Sequence, residues 1–302
     1  MTATFVDLGA RRSAVAATVD APVHRIGVAD ATVLRTELAA RERTGGAGWL
    51  LALPWLVPAG LIAVWQALGA TGRIPAGVLP SPSDVFRTAW QLAAQGSLVN
   101  DVLVSLRRVA IGFSVGAGTG LVLGFLVGLS AFARGLIDRS LQMVRTIPHL
   151  ALVPLMILWF GIGEEPRIIL VALGSLFPVY LNTMSGVRNV DPKLVELGRS
   201  YGLGPLQLVR DVVFPGALQP ILVGLRYALG VAWLTLVVGE TIASRDGIGY
   251  LVQNARELLR TDVILLAIVL YAIAGWLADL LARLIERRVL RWHPNYAGKT
   301  QP

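Results

Sequence analysis

Reactive chemistry needs imidazoles, thiols, paired carboxylates or an activated hydroxyl within reach of one another, and this chain offers few such groups. Its three histidines, His24, His149 and His293, lie far apart in no metal-ligand spacing, and it has no cysteine. Disulfides and thiolate metal sites are thereby excluded. The two lysines are Lys193 and Lys299. Gly298-Lys299-Thr300 imitates the end of a phosphate-binding loop, but His293 stands where that motif's first glycine belongs, so nucleotide chemistry is not expected in this chain. No His cluster, carboxylate pair or activated serine points to an intramembrane enzyme. What remains are isolated polar groups in apolar surroundings: Arg226, Asn182, His149, Thr235, Glu240, and the pair Asp279 and Arg283. A charge in such a helix costs at least ~2.5–3.5 kcal/mol unless it meets water or a partner. Asp279 and Arg283, four residues apart, can satisfy each other on one helix face, and Glu240 reads as an anchor for the loop that follows it. For Arg226 two readings stand: it lines a wet pathway, or it pairs with helix carbonyls or a carboxylate of a facing subunit.

Elements suited to lipid must hold these groups. Of 302 residues, 55% are hydrophobic and 15% charged, and the mean hydropathy is +0.64, too apolar for a water-solvated surface. Apolar stretches at 49–68, 109–130, 143–161, 167–187, 217–239 and 262–284 each approach the ~20 residues a helix needs to cross ~30 Å of hydrocarbon. An all-α polytopic membrane protein with six spans follows, because in lipid each backbone group must be satisfied internally. With the N-terminus inside, eighteen Lys and Arg fall on the cytoplasmic side and eight outside, with Arg226 within a span, so both termini are expected in the cytoplasm. Arg107 and Arg108 sit awkwardly on the sparse side. The net charge of +8 belongs to cytoplasmic loops and not to nucleic-acid binding. Residues 1–47 mix arginines with acidic residues, lack a signal-peptide core and read as a disordered cytoplasmic tail; 48–290 form the transmembrane domain, and 291–302 a second cytoplasmic tail.

The outer loop at 69–101 carries Pro75, Pro80 and Pro82, after which Ser83 is expected to cap a short helix turning Val85, Phe86, Ala89 and Trp90 toward the membrane surface. Beyond Glu240, the residues Ile248, Leu251, Val252, Ala255, Leu258 and Leu259 recur at helical spacing, describing an amphipathic helix that either shapes an outer gate or covers the bundle's end. In the second span, Gly112, Gly116, Gly120, Gly124 and Gly128 recur every four residues, a slowly rotating groove for close backbone packing within the subunit or against another. Pro148, Pro154, Pro178, Pro215 and Pro220 punctuate the later spans and free carbonyls that lipid cannot satisfy, so their faces should look toward protein or water.

Between spans four and five, Asn189 to Pro215 is too polar to cross. Asp191-Pro192 is an N-cap and first-turn pair, Gly202 stops that helix, and Gly204-Pro205 starts another that is expected to run to Phe214. The resulting helix-turn-helix presents Leu194, Val195, Leu206, Val209, Val212 and Val213 beside Glu196, Arg199, Gln207, Arg210 and Asp211, an amphipathic knob suited to a groove in another protein. Glu196-Leu197-Gly198, then Gly202, then Val212, Phe214 and Pro215 resemble the cytoplasmic signature of binding-protein-dependent ABC importer permeases, written EAA, three residues, G, nine residues, I-x-L-P. The spacing matches at every element; Leu197 and Gly198 replace two alanines, Val212 an isoleucine and Phe214 a leucine. The stretches at 142–163, 176–203 and 216–242 resemble the nitrate/sulfonate/taurine branch, and 291–297 (RWHPNYA) is most similar to its aliphatic sulfonate permeases.

The resemblance implies a six-helix type I ABC importer permease fold in a bacterial cytoplasmic (inner) membrane. It implies that 189–215 is the coupling loop, with Glu196, Leu197, Gly198, Gly202, Val212, Phe214 and Pro215 meeting an ABC ATPase subunit. It further implies an extracytoplasmic solute-binding protein and a second permease copy as partners, with ATP and Mg bound by the ATPase and no cofactor in this chain. A sulfonate is an anion, so under this resemblance Arg226 attracts the solute, aided by Asn182, His149 or Thr235; taurine and nitrate are the alternative cargoes. An ion-driven secondary transporter is the rival class, but it typically shows two similar halves, and here neither the glycine run nor the knob recurs.

Overall fold

The computed structural model describes residues 47–75 and 77–292, and every regular element among them is helical. The tail expected over 1–47 lies outside the described residues except for Ala47, as do His24 and residues 293–302, which include His293 and Lys299. The chain falls into two units, Met1–Ala63 and Val64–Pro302. The described part of the first is the leading stretch of helix α1 (Ala47–Ala70), where Trp55, Leu56, Val57, Leu61 and Ile62 are exposed, as expected of a helix whose solvent is lipid.

In the second unit, α1 ends at Ala70, and Trp65 donates from Nε1 to the Pro80 carbonyl at 3.1 Å. Helix α2 (Pro82–Ala94) is capped by Ser81, not Ser83, through a capping box with Asp84. The two-residue shift arises because Pro82 occupies the first helical turn, where its missing N–H costs nothing. Val85 and Thr88 are buried, whereas Phe86 and Trp90 are exposed.

Helix α3 (Ser97–Leu129) starts a dozen residues before the hydropathy limit because Asp101, Ser105 and Arg108 lie along one buried face, where they are hydrogen-bonded. The third expected span is broken. The stretch 143–161 takes in only the last residues of one helix, α4 (Ala131–Arg145), and the whole of the next, α5 (His149–Phe160); the two meet at 77°, with Pro148 extended at the break (φ −62°, ψ 105°). Helix α6 (Glu164–Arg188) continues unbroken through Pro178. The short α7 (Pro192–Ser200) precedes α8 (Phe214–Ala243), followed by α9 (Ile248–Glu257) and α10 (Thr261–Val289). Among the described residues four helical runs, Ser97–Leu129, Glu164–Arg188, Pro205–Ile242 and Thr261–Val289, are long and apolar enough to cross a membrane, and the bent α4/α5 pair makes a fifth candidate. A shorter apolar stretch, Trp55–Ala70, completes the set.

The core is built by α3, α6 and α8. Val109, Val171, Ala232, Trp233 and Leu236 pack in one layer, Ala117, Val179 and Ala228 in a second, and Val187, Val213, Ala217 and Ile221 in a third. The glycine run of α3 faces α6 along its whole length: a Cβ on Gly112 would stand 2.7 Å from Val171 Cβ, on Gly120 2.6 Å from the Leu176 carbonyl oxygen, and on Gly128 2.8 Å from Val187 Cβ. The stripe is therefore an intrasubunit packing surface. Helix α9 packs Ile248, Leu251 and Ala255 against Val85, Leu98, Val263 and Leu266, while Leu258 and Leu259 stay exposed. It covers one end of the bundle.

Candidate functional site

The knob forms as its sequence dictates. Asp191 accepts the Lys193 N–H at 2.9 Å and caps α7, which closes with Gly202 at φ +78°, the Leu203 N–H reaching back to the Gly198 carbonyl at 3.1 Å and the Gly202 N–H to that of Arg199 at 2.9 Å. The next turn, Pro205–Leu208, is capped by Gln207, whose Oε1 accepts the Gly204 N–H at 2.9 Å. Gly198 is buried, and a Cβ there would lie 2.8 Å from Leu208 Cδ1, so the motif's small residue is where the two helices touch.

The second helix does not stop at Phe214. A π turn, Val209–Val213, carries the chain into α8, with the Phe214 N–H bonded to the Val209 carbonyl. The wider turn accommodates Pro215, which has no N–H to give, so the proline is absorbed without a break. Leu194, Leu197, Tyr201 and Leu206 are all exposed, Leu206 at 80% and Tyr201 at 81%, making an apolar patch on the knob. Glu196 is exposed too, but it lies on the other flank of α7, lining a cleft with Arg134, Arg188 and Arg199. Val212 is partly buried, within 3.6 Å of a Cβ placed on Gly198, and Phe214 stacks on Phe125 with ring centroids 6.0 Å apart.

The four polar groups singled out within the spans are not one cluster. His149 Nε2 and Thr235 Oγ1 meet at 3.0 Å, joining the α5 start to α8 beside Gly174. Asn182 donates to the Pro178 carbonyl at 2.8 Å and packs against Gly224. Arg226 faces α10: its Nε donates to Asp279 Oδ1 at 2.5 Å, and Asp279 also pairs with Arg283. Arg226 remains 41% exposed, at a cavity of about 550 Å³ lined also by Tyr227, Leu234 and Gly275. The local Asp279–Arg283 pair expected from spacing is present, and Arg226 joins it.

A further polar cluster went unrecognised in the sequence. Arg108 is 1% exposed and bridges Glu240 (0% exposed, Nη1 to Oε1 2.8 Å), Glu164 (Nε to Oε2 2.9 Å) and Asp246. Around it, Ser105 donates to Glu240 at 2.8 Å and accepts the Ile248 N–H at 2.9 Å; Asp101 accepts the Gly247 N–H and Glu240 the Gly249 N–H, both at 2.9 Å. Glu240 thus anchors the loop after α8. The available signal was Asp101, Ser105 and Arg108 at helical spacing, combined with the misplaced positive charge.

Membrane-length apolar helices carrying a polar helix-turn-helix with an exposed apolar patch define a class: a polytopic α-helical membrane protein. The chain belongs to the family described as binding-protein-dependent transport system inner membrane component, whose model matches residues 119–291. It is 53% identical over 249 residues, 82% of this chain and 95% of the relative, to the protein of Escherichia coli (strain K12) named as the aliphatic sulfonates transport permease protein SsuC. Its identity to the SsuC protein of Bacillus subtilis (strain 168) is 44%, over 83% of this chain and 90% of the relative. For the taurine transport system permease protein TauC of Escherichia coli (strain K12) it is 36%, over 77% and 86%. Among solved structures, an amino acid ABC transporter crystallised with histidines superposes with a TM-score of 0.55 at 18% identity, covering 66% of this chain and 97% of that one. That likeness concerns the fold alone.

Proposed function

We propose that the chain is the membrane-spanning, non-catalytic permease subunit of an ATP-driven importer of small anionic solutes, with aliphatic sulfonates as the cargo. The observation that carries the reading is the capped knob at 191–215, whose Leu194, Leu197, Tyr201 and Leu206 are left exposed by the described residues. Aliphatic sulfonates are favoured over taurine because the SsuC relatives are more similar than TauC. Two copies line the pathway, an external binding protein delivers the solute, and two ATPase subunits holding ATP and Mg grip the knobs, so that their closure opens the pathway outward. Solute uptake by the reconstituted complex, measured with alkanesulfonates, taurine and nitrate in parallel, tests the cargo; taurine or nitrate uptake without alkanesulfonate uptake refutes it.

Gly202→Val places a β-branched residue at φ +78° and should misdirect α7 relative to the run that starts at Pro205, while leaving the spans intact. The variant is expected to insert and dimerise normally but to lose ATPase subunit in pull-downs and solute-stimulated ATP hydrolysis. Full retention of both would remove the knob from the mechanism.

The orientation is part of the same proposal, with both termini and the knob in the cytoplasm and α9 outside. Single cysteines at the exposed positions Ser200 and Glu257 of this cysteine-free chain are expected to label from opposite sides of sealed vesicles. Labelling from one side contradicts it.

The pathway role of Arg226, Asn182, His149 and Thr235 also belongs to the proposal. Arg226 opens on the 550 Å³ cavity while shared with Asp279, so an entering anion competes for a guanidinium already oriented by that carboxylate. Arg226→Lys keeps the charge and loses the planar fork. An assembled complex with weakened, altered solute preference is expected; a Lys variant that cannot assemble assigns the arginine to structure instead.

A further inference from the structure

Beside the knob, on the flank away from its apolar patch, lies a cleft of about 430 Å³. Its walls are the last turns of two membrane helices, Gly128 and Leu129 of α3 and Val187 and Arg188 of α6, together with Arg134, one side of α7, and Leu208, Val209 and Val213. Both π turns among the described residues, Arg134–Asp138 and Val209–Val213, border it. Such turns are rare and concentrate at functional sites.

Its charges are left open. Arg134 gives one weak hydrogen bond, Nη2 to the Gly128 carbonyl at 3.3 Å, and its Nε is buried with no hydrogen-bond partner. Arg188 and Arg199 have neither a salt bridge nor a side-chain hydrogen bond among the described residues, and the one carboxylate on the wall, Glu196, pairs with none of the three. Three guanidiniums against one carboxylate favour an anion. The remaining wall is apolar, with Val187, Val195 and Val213, and the helix that carries Arg134 leaves Phe132 and Leu136 exposed.

From this arrangement we infer that the cleft is a binding site for the headgroup phosphate of an anionic phospholipid. Under the membrane placement proposed above, a cleft at the ends of two spans lies at the level of lipid phosphates, and an apolar wall beside a basic one fits an amphiphile, whereas a free anion would have no use for the valines. Basic pockets between helices at the inner surface are suited to such headgroups. The occupied cleft would brace α7 against α3 and α6, holding the knob at a set height above the membrane. The inference rests on the cytoplasmic placement proposed above. Failure of that placement shows in the cysteine labelling, whereas the assay below uses bilayers of identical composition on both faces.

The test is lipid retention by the purified complex, with its ATPase subunits, taken from nanodiscs containing equal phosphatidylglycerol and phosphatidylcholine and read by native mass spectrometry. Wild type is expected to retain phosphatidylglycerol selectively, and Arg134→Gln and Arg188→Gln to reduce that selectivity about fivefold each. Glu196→Gln, which removes the opposing charge, should increase it, a gain that misfolding cannot produce. Equal retention of both lipids by wild type, or unchanged selectivity in all three variants, overturns the inference. So does loss of the ATPase from the arginine variants with lipid unchanged, which would assign the arginines to the partner. Displacement of phosphatidylglycerol by millimolar inorganic phosphate would make this a small-anion site and equally overturn it.

Discussion

Arg108→Ala is expected to unfold the protein or to lower its stability by about 3–5 kcal/mol, the cost of breaking a buried ion pair by removing one partner. Glu240 is 0% exposed and keeps only the Ser105 hydroxyl and the Gly249 N–H without that arginine. Glu164 and Asp246 are about half exposed and can turn to water, so the loss concentrates on Glu240. Arg108→Lys should recover only part of the stability, because one ammonium cannot replace a fork that meets Glu240, Glu164 and Asp246 from three sides. Combining Arg108→Met with Glu240→Met should be milder than Arg108→Ala alone, since neither charge is then stranded. Thermal unfolding of the purified protein measures all three. If Arg108→Ala melts with wild type, Arg108 and Glu240 are not mutually dependent and the bridge is incidental.

Gly120→Leu is the second large effect expected. The new Cβ alone would lie 2.6 Å from the Leu176 carbonyl oxygen and 3.1 Å from the Tyr180 nitrogen, both backbone atoms that cannot rotate away. Helices α3 and α6 must separate, and the layer of Ala117, Val179 and Ala228 loses its contact. Overpacking of this kind costs about 1–3 kcal/mol in cores that can yield, and more where backbone must move. Gly118→Leu is the control: it sits on the same helix, exposed, with nothing within 4 Å of its Cβ position. Poor assembly and a lowered melting temperature are expected for Gly120→Leu and near wild-type behaviour for Gly118→Leu. Equal stability of the two variants would falsify the packing role of the stripe.

Features with a short-range physical cause were legible before any coordinates. Asp191, Gly202 and the Gly204-Pro205 pair bound their helices through local hydrogen bonds and backbone conformation, so the knob could be read from its residues. The glycine stripe was legible as a packing surface, but its partner was not, because the residues it touches, Val171 to Val187, carry no complementary pattern beyond being apolar or small. Three readings moved on contact with the structure. Ser81 rather than Ser83 caps α2, Pro215 is passed through a π turn instead of ending a helix, and the third span breaks at Pro148. Each depends on how neighbouring turns share hydrogen bonds, which residue identity alone leaves undetermined. The Arg108 cluster was missed for another reason. Hydropathy treats each charge as a cost at its own position, whereas here Arg108, Glu164 and the neighbouring Glu240 and Asp246 come from three stretches far apart in sequence and cancel only after folding. Arg226 was legible as a group needing a partner, and that partner, Asp279, had been read as already spoken for by Arg283.

Because the π turn lets the chain pass Pro215 without a break, the knob's second helix and α8 are one continuous helical run, Pro205–Ile242, of 38 residues. At about 1.5 Å per residue this run is ~57 Å long. One end carries Leu206 on the knob, and the other carries Glu240, clamped to Arg108 and to the first turn of α9. Geometrically it is a lever whose far end travels about 1 Å for each degree of tilt about the knob. The bond between Arg108 and Glu240 fixes that end against α3, so any displacement of the knob end must either carry the whole Arg108 cluster along as a block or be taken up as bending at the π turn and at Pro220.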